Sequence, residues 1–261
     1  MGYTYLGEGL STIAIEYGER VVKIGKCGQR DLASCEKVRI AHDRYISNLE
    51  QAGVRTLVEL CYSSLQGSRN HVVVVERNAR SNVLSNILAN SYSADCKDYL
   101  SELIENLKLV YDRNRRNIVQ VGVCSKLSSW CREDGRLVYL DTFPPFIDDG
   151  SFGELFSLHY GLPGCFKFVA GIVKASHFDV DKQIGKIIAD VSSCDSGLEL
   201  GYFARQQAMR VFNAKRRSLE RLNVQGLQKS SSYKRFKRFI ARKLLDNSSF
   251  VPDFCKLEER L

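Results

Sequence analysis

The sequence predicts an α+β chain: a small antiparallel sheet with one helix over residues 1–80, then a larger, mainly helical part over residues 81–261. Three observations carry this expectation. Up to Glu76 the apolar residues alternate or run in short β-branched blocks, which is strand patterning. From Asp98 onward they recur three and four residues apart, which is helix patterning. Between the two, Arg77-Asn-Ala-Arg-Ser81 follows neither period and reads as a linker.

Taken in order, Tyr5-Leu6 leads into Gly7-Glu8-Gly9, and Thr12–Tyr17 and Arg20–Ile24 then read as the two strands of a hairpin turning at Gly18-Glu19. Lys23 stands between Val22 and Ile24, so its side chain leaves the strand on the face opposite theirs. Glycines before such a hairpin let backbone N–H groups come close to phosphate, and a strand lysine can reach the same phosphates. Ordinary turns and edge-strand solubility are the competing roles of these residues. Asp31 to Ala52 reads as an amphipathic helix, with Asp31 as N-cap and Gly53 just past its end. Its acids Glu36 and Asp43 are candidates to pair with Lys23, and solvent-facing helix acids are the commoner case. Val54–Leu60 reads as a strand, Gln66–Asn70 as a polar turn, and His71–Glu76 as a strand buried on both faces.

Asp98–Tyr111 is a predicted helix with Leu100, Leu103, Ile104, Leu107 and Val110 on one side. Val121 to Pro145 reads as a tight loop, a strand, a turn at Asp134-Gly135 and a second strand, Arg136–Leu140, that stops at Asp141. Pro144 and Pro145 then take the chain out of the sheet. A carboxylate at the end of a buried strand can hold a metal ion over a cleft, although capping the next turn is its more frequent use. Phe146 to Gly164 reads as irregular, and residues 166–176, 181–191 and 198–213 as helices. Residues 230–245, SSSYKRFKRFIARKLL, read as a basic amphipathic helix. We expect that helix to dock on its own domain, with anionic membrane or nucleic acid as the alternative partner.

Composition narrows the class. The chain has 261 residues, 44% of them hydrophobic, enough for a proper core. No apolar run approaches the roughly 20 residues of a membrane-spanning helix. Met-Gly-Tyr-Thr-Tyr lacks the charged and apolar regions expected of a signal peptide, and Gly2 is only a weak myristoylation match. Nine cysteines without CxxC pairs fit reduced thiols and a cytoplasmic location. The four histidines show no metal-ligand spacing among themselves. A net charge of +8 favours acidic partners such as nucleotides, or serves solubility alone.

The order of these parts resembles the protein-kinase-like superfamily, and within it the aminoglycoside-phosphotransferase-like branch. The resemblance covers roughly the first 150 residues and implies a small antiparallel-sheet N-lobe and a mainly helical C-lobe. Leu6-Gly-Glu-Gly9 resembles the phosphate-covering loop, with Gly7 and Gly9 as its glycines. Val21-Val-Lys-Ile24 resembles the lysine strand, which makes Lys23 the residue for nucleotide phosphates. Leu49-Glu-Gln-Ala-Gly53-Val54 resembles the end of the αC-type helix in that branch, on which Glu36 is a candidate for the cofactor site. Val72–Asn78 resembles the hinge strand beside the adenine, and this implies a cofactor contact at Glu76. Leu137–Phe143 resembles the metal-binding strand end, which makes Asp141 a magnesium ligand. The family's catalytic aspartate and second metal-binding asparagine fall on Cys124 and Ser129. Neither replaces its counterpart well, because magnesium prefers hard carboxylate and phosphate oxygens. The expectation is a kinase-like protein that binds a purine nucleotide (ATP) with magnesium and has weak or lost phosphotransferase activity. The alternatives are an active phosphotransferase acting on an unidentified small-molecule or protein acceptor, and a basic interaction module that binds no nucleotide.

Overall fold

The computed structural model describes residues 3–8, 12–26, 28–29, 31–79, 82–90, 95–160, 167–192 and 197–212. Gly9 and the predicted basic helix over residues 230–245 lie outside that set. The described chain is α+β, with one five-stranded antiparallel sheet, two short two-stranded pairings and seven α-helices. The large sheet has the order β1-β2-β3-β5-β4, built from β1 (Tyr3–Glu8), β2 (Thr12–Tyr17), β3 (Arg20–Gly25), β4 (Val58–Gln66) and β5 (Arg69–Arg77). The first strand was not predicted. Tyr3 and Tyr5 are exposed and no apolar alternation marks the segment, so it is held by its ladder with β2 rather than by burial.

Strand β5 is an interior strand between β3 and β4, and every residue from His71 to Glu76 is buried. Val73 and Val75 pack on one face with Ile13, Ile15, Val22, Ile24 and Tyr62. Val72 and Val74 point to the other face, against Cys35 and Val38 of α1 (Leu32–Gln51) and Phe143. Helix α1 begins where predicted: Asp31 Oδ1 accepts the Ser34 N–H at 2.7 Å. It ends before Gly53, whose φ of +86° is a left-handed conformation natural to glycine. Farther along the same helix, Ala41, Tyr45 and Leu49 leave the sheet and enter the main core, and the Tyr45 hydroxyl donates to the Gly122 carbonyl at 2.6 Å.

That main core is helical. Leu100, Leu103, Ile104 and Leu107 of α3 (Asp95–Asn114) meet Ile184, Ile187 and Ile188 of α6 (Val180–Val191) and Ala204 and Ala208 of α7 (Gly197–Val211). Each large aliphatic side chain buried this way contributes roughly 1.5–3 kcal/mol. Helix α2 (Leu84–Asn90) packs beside them, and α5 (Lys167–Phe178) precedes α6. Gly122 sits so close to α5 that a Cβ there would lie 2.9 Å from the His177 carbonyl oxygen. The irregular reading of residues 146–164 is corrected in part by α4 (Phe152–Tyr160). Phe152, Phe156 and His159 recur on one buried helix face, and that packing outweighs the low helix propensity of Gly153 in the first turn. Among the described residues no helix is long and apolar enough to cross a membrane.

His159 is fully buried, edge-on to Phe143 at 4.6 Å, and burial pushes its pKa down to about 3. An imidazole in the unfolded chain takes up a proton near pH 6.5. Between these values the unfolded state therefore binds more protons, and stability falls as pH is lowered through the window. We predict a decline from about pH 6.5 towards pH 3, to which His159 contributes up to about 1.4 kcal/mol per pH unit. Burial also lowers the pKa of His71, which adds to the slope. Denaturant unfolding of His159→Leu across this range should show a slope shallower by about one proton.

Candidate functional site

The site is positioned by a hairpin whose register is set at its turn. Strands β7 (Trp130–Glu133) and β8 (Arg136–Tyr139) are joined by Asp134 and Gly135, with φ of +50° and +75°. Two left-handed residues in succession make the hairpin turn that matches strand twist. From Glu133↔Arg136 the pairing runs to Trp130↔Tyr139, which brings residue 129 opposite residue 140. The Leu140 N–H donates to the Ser129 carbonyl at 2.9 Å, and the Ser129 hydroxyl lies 3.3 Å from Asp141 Oδ2. The loop before the hairpin, which ends in a single 3-10 turn at Leu127–Ser129, is tied to the same strands. The Cys124 N–H donates to the Tyr139 hydroxyl at 2.9 Å, and the Trp130 indole N–H donates to the Cys124 carbonyl at 2.9 Å.

The second half of the site is a cross-strand ion pair. Lys23 on β3 is directly opposite Val74 on β5, so Glu76, two residues on, is its diagonal neighbour on the same face. Lys23 Nζ reaches Glu76 Oε2 at 2.7 Å and also donates to the Leu140 carbonyl. Glu76 is buried, and its other oxygen accepts the Thr142 hydroxyl at 2.5 Å. Both oxygens of the carboxylate are thus engaged, and β3, β5 and the end of β8 are joined through it. In front of the pair is a cleft of about 430 Å³ lined by Leu6, Lys23, Glu76, Lys126, Ser129 and Asp141 among others.

The structure brings together Lys23, Glu76, Ser129 and Asp141 on this cleft. It does not bring Glu36 there. Cys35 and Val38 turn towards the sheet, and the neighbouring Glu36 faces β4. There it accepts the Ser63 hydroxyl at 2.5 Å and the Arg39 guanidinium at 2.6 Å. These bonds, Ser63 first, hold its pKa below the usual carboxylate range. The carboxylate beside Lys23 is Glu76, because a diagonal strand neighbour is nearer than any residue on the helix. Cys124 does not line the cleft either: it is buried in the main core next to Ser129, and burial followed by the Asp141 charge pushes its thiol pKa up. Gly7 is next to the lining rather than in it. A bulge between Tyr5 and Gly7 makes Leu6 the extra residue facing the cleft. The hinge expectation is narrowed as well. The Arg77 N–H is used by the Leu57 carbonyl at 3.0 Å and the Asn78 N–H by the Glu19 carbonyl at 2.8 Å, so neither amide is open to a ligand. Lys126, Ser128, Arg77 and Ala79 line the cleft and Thr142 supports Glu76, and none of these roles was assigned from the sequence. Lys126 could have been found from its position two residues after Cys124, in the loop already singled out.

Fold and site together define an α+β protein with a charged cleft between its antiparallel sheet and the end of a buried hairpin. Residues 1–159 match a family of unknown function, DUF6206, and the chain belongs to that family. Among solved structures, the Cydia pomonella granulovirus kinase PK-1 aligns with 54% of this chain and 53% of its own at 14% identity and a TM-score of 0.33. The chain thus spans about half the length of that viral kinase, and a superposition at this score does not establish a shared fold. No curated protein matches the chain.

The ion pair yields a stability prediction. The side chains of Lys23 and Glu76 are 16% and 3% exposed, so removing one partner leaves the other charge largely buried. Glu76→Leu should destabilise the protein by about 3 kcal/mol, and Lys23→Met combined with Glu76→Leu should restore most of the loss, as read from denaturant midpoints.

Proposed function

We propose that the chain is a kinase-like protein that binds a purine nucleotide with magnesium in this cleft and has weak or lost phosphotransferase activity. In this reading the sheet and α1 form the smaller of two lobes, and the helices from α2 onward the larger. The observation that carries the reading is that Lys23, inside β3, and Asp141, just past the end of β8, line one cleft. A lysine held in place by a carboxylate presents a positive charge for phosphate oxygens. Asp141 is a hard oxygen ligand at the mouth, and one carboxylate plus phosphate oxygens and water suits magnesium. Ser129 would be a weaker, hydroxyl ligand beside it. A bound magnesium ion would supply charge neutralisation between phosphates. Exposed Lys126 at the rim adds a second cation.

The chemistry is where the reading departs from an active enzyme. The Cys124 thiol is buried under the loop, with its pKa raised by burial, and remains protonated at neutral pH. It cannot accept a proton from an acceptor hydroxyl, and a missing general base costs about 10²–10⁴-fold in rate.

The test is thermal unfolding with and without ATP and magnesium, paired with an assay of ATP turnover. At ten times its Kd, ATP with magnesium should stabilise the protein by about 1.4 kcal/mol, or roughly 3–5 °C. Lys23→Ala and Asp141→Asn should each remove this shift, and turnover should be slow or absent. No shift in the unaltered protein would exclude the nucleotide site. Robust turnover would replace the reading with that of an active phosphotransferase.

A further inference from the structure

A second chemical cluster lies between α1 and β4, on the same face of the sheet as Lys23 but outside the cleft. His42 and Asp43 are successive residues of α1, and Cys61 is on β4. Cys61 is paired with Val74, which is in turn paired with Lys23, so the cluster sits two strands, roughly 10 Å, from the lysine. One donor atom from each of His42, Asp43 and Cys61 lies within 4.8 Å of the other two.

The histidine is the unusual member. His42 is fully buried, and neither ring nitrogen has a hydrogen-bond partner among the described residues. Its Nδ1 faces Asp43 Oδ1 at 4.0 Å, too long for a hydrogen bond. Buried imidazole nitrogens are normally paired, so a ring nitrogen left without a hydrogen bond beside a carboxylate and a thiol is open to an ion. The carboxylate is already oriented: Asp43 Oδ2 accepts Arg39 Nη1 at 2.6 Å, which leaves Oδ1 towards His42. Arg39 is itself fixed by Glu36 at 2.6 Å. An outer shell of this kind is what holds metal-ligating carboxylates in place.

We propose that His42, Asp43 and Cys61 form a binding site for a divalent ion of zinc type, seated between α1 and β4. Imidazole, carboxylate and thiolate together select a borderline-soft ion rather than magnesium. Tetrahedral zinc bonds place their donor atoms about 3.3–3.8 Å apart, so the observed spacings need to close by roughly 1 Å. Asp43, with half its side chain exposed, has room for that movement, which Oδ1 makes by pivoting about the Oδ2 bond to Arg39. The Cys61 thiol, whose pKa is raised by burial and then by Asp43, gives up its proton when the ion binds. Thiolate and carboxylate then balance the two positive charges, and three protein ligands leave the fourth position to water. The site does not depend on the nucleotide reading, because none of its ligands lines the cleft.

The experiment uses the full chain, stripped with a chelator and titrated with zinc, and separately with cobalt, in the absence of nucleotide. The expected result is one equivalent bound, a raised melting temperature, and a thiolate-to-cobalt charge-transfer band. Cys61→Ser should abolish the band, and Asp43→Asn should weaken binding at least as much as the roughly 10–100-fold lost with an outer-shell partner. Both substitutions are at partly exposed positions, so circular dichroism should show an unchanged fold. Absence of micromolar zinc binding would overturn the proposal. So would a cobalt spectrum that survives Cys61→Ser, since the ion would then sit on other cysteines.

Discussion

The structure depends on one buried ion pair. Lys23 and Glu76 are diagonal neighbours on adjacent strands, and the carboxylate also takes the hydroxyl of Thr142. A carboxylate left buried without partners would be strongly unfavourable, so these contacts are made together or lost together. Through them the sheet is bound to the segment that leaves the hairpin, and Asp141 is fixed beside the lysine's cleft. The pair is also built within the sheet, so its geometry is set by strand register and does not require any particular position of α1.

That arrangement leaves α1 with other duties. One end of it covers the sheet through Cys35 and Val38, and the other enters the helical core through Tyr45 and Leu49. The Tyr45 hydroxyl bond to Gly122 ties it to the loop under the cleft. A helix packed on both sides in this way couples the sheet to the helices mechanically. Its acids Glu36 and Asp43 are consequently directed to β4, where they meet Arg39, Ser63 and the His42–Cys61 cluster.

The hairpin is the complementary device. Its two-residue turn sets the register, and the register places Ser129 and Asp141 side by side even though 11 residues separate them in the chain. The buried Trp130 and Tyr139 rings, 4.9 Å apart, hold the hairpin in the core. Their polar atoms bond the backbone of Cys124 from both sides, which keeps the thiol inward and leaves Lys126 and Ser128 to face the cleft. The same packing that builds the site therefore buries Cys124 beneath it.

Much of this was legible in the sequence by itself. The alternation in Thr12–Tyr17 and Arg20–Ile24, the Asp31 cap, the apolar run His71–Glu76 and the Asp134-Gly135 turn are local signals, and local backbone preference and side-chain period are sufficient to read them. The same period showed that Lys23 faces away from Val22 and Ile24, and the turn placed a strand that ends at Asp141. Only the tertiary structure decided which partners these residues meet. The order of strands made Glu76 rather than Glu36 the neighbour of Lys23, and no periodicity within either segment encodes which strand lies alongside which. Helix α4 needed its aromatic face to find a core, and β1 needed β2 as a template. The rotation of α1 about its axis, set by the packing of Cys35, Val38 and Tyr45, brought His42 and Asp43 to Cys61, residues that sequence spacing alone gives no reason to associate.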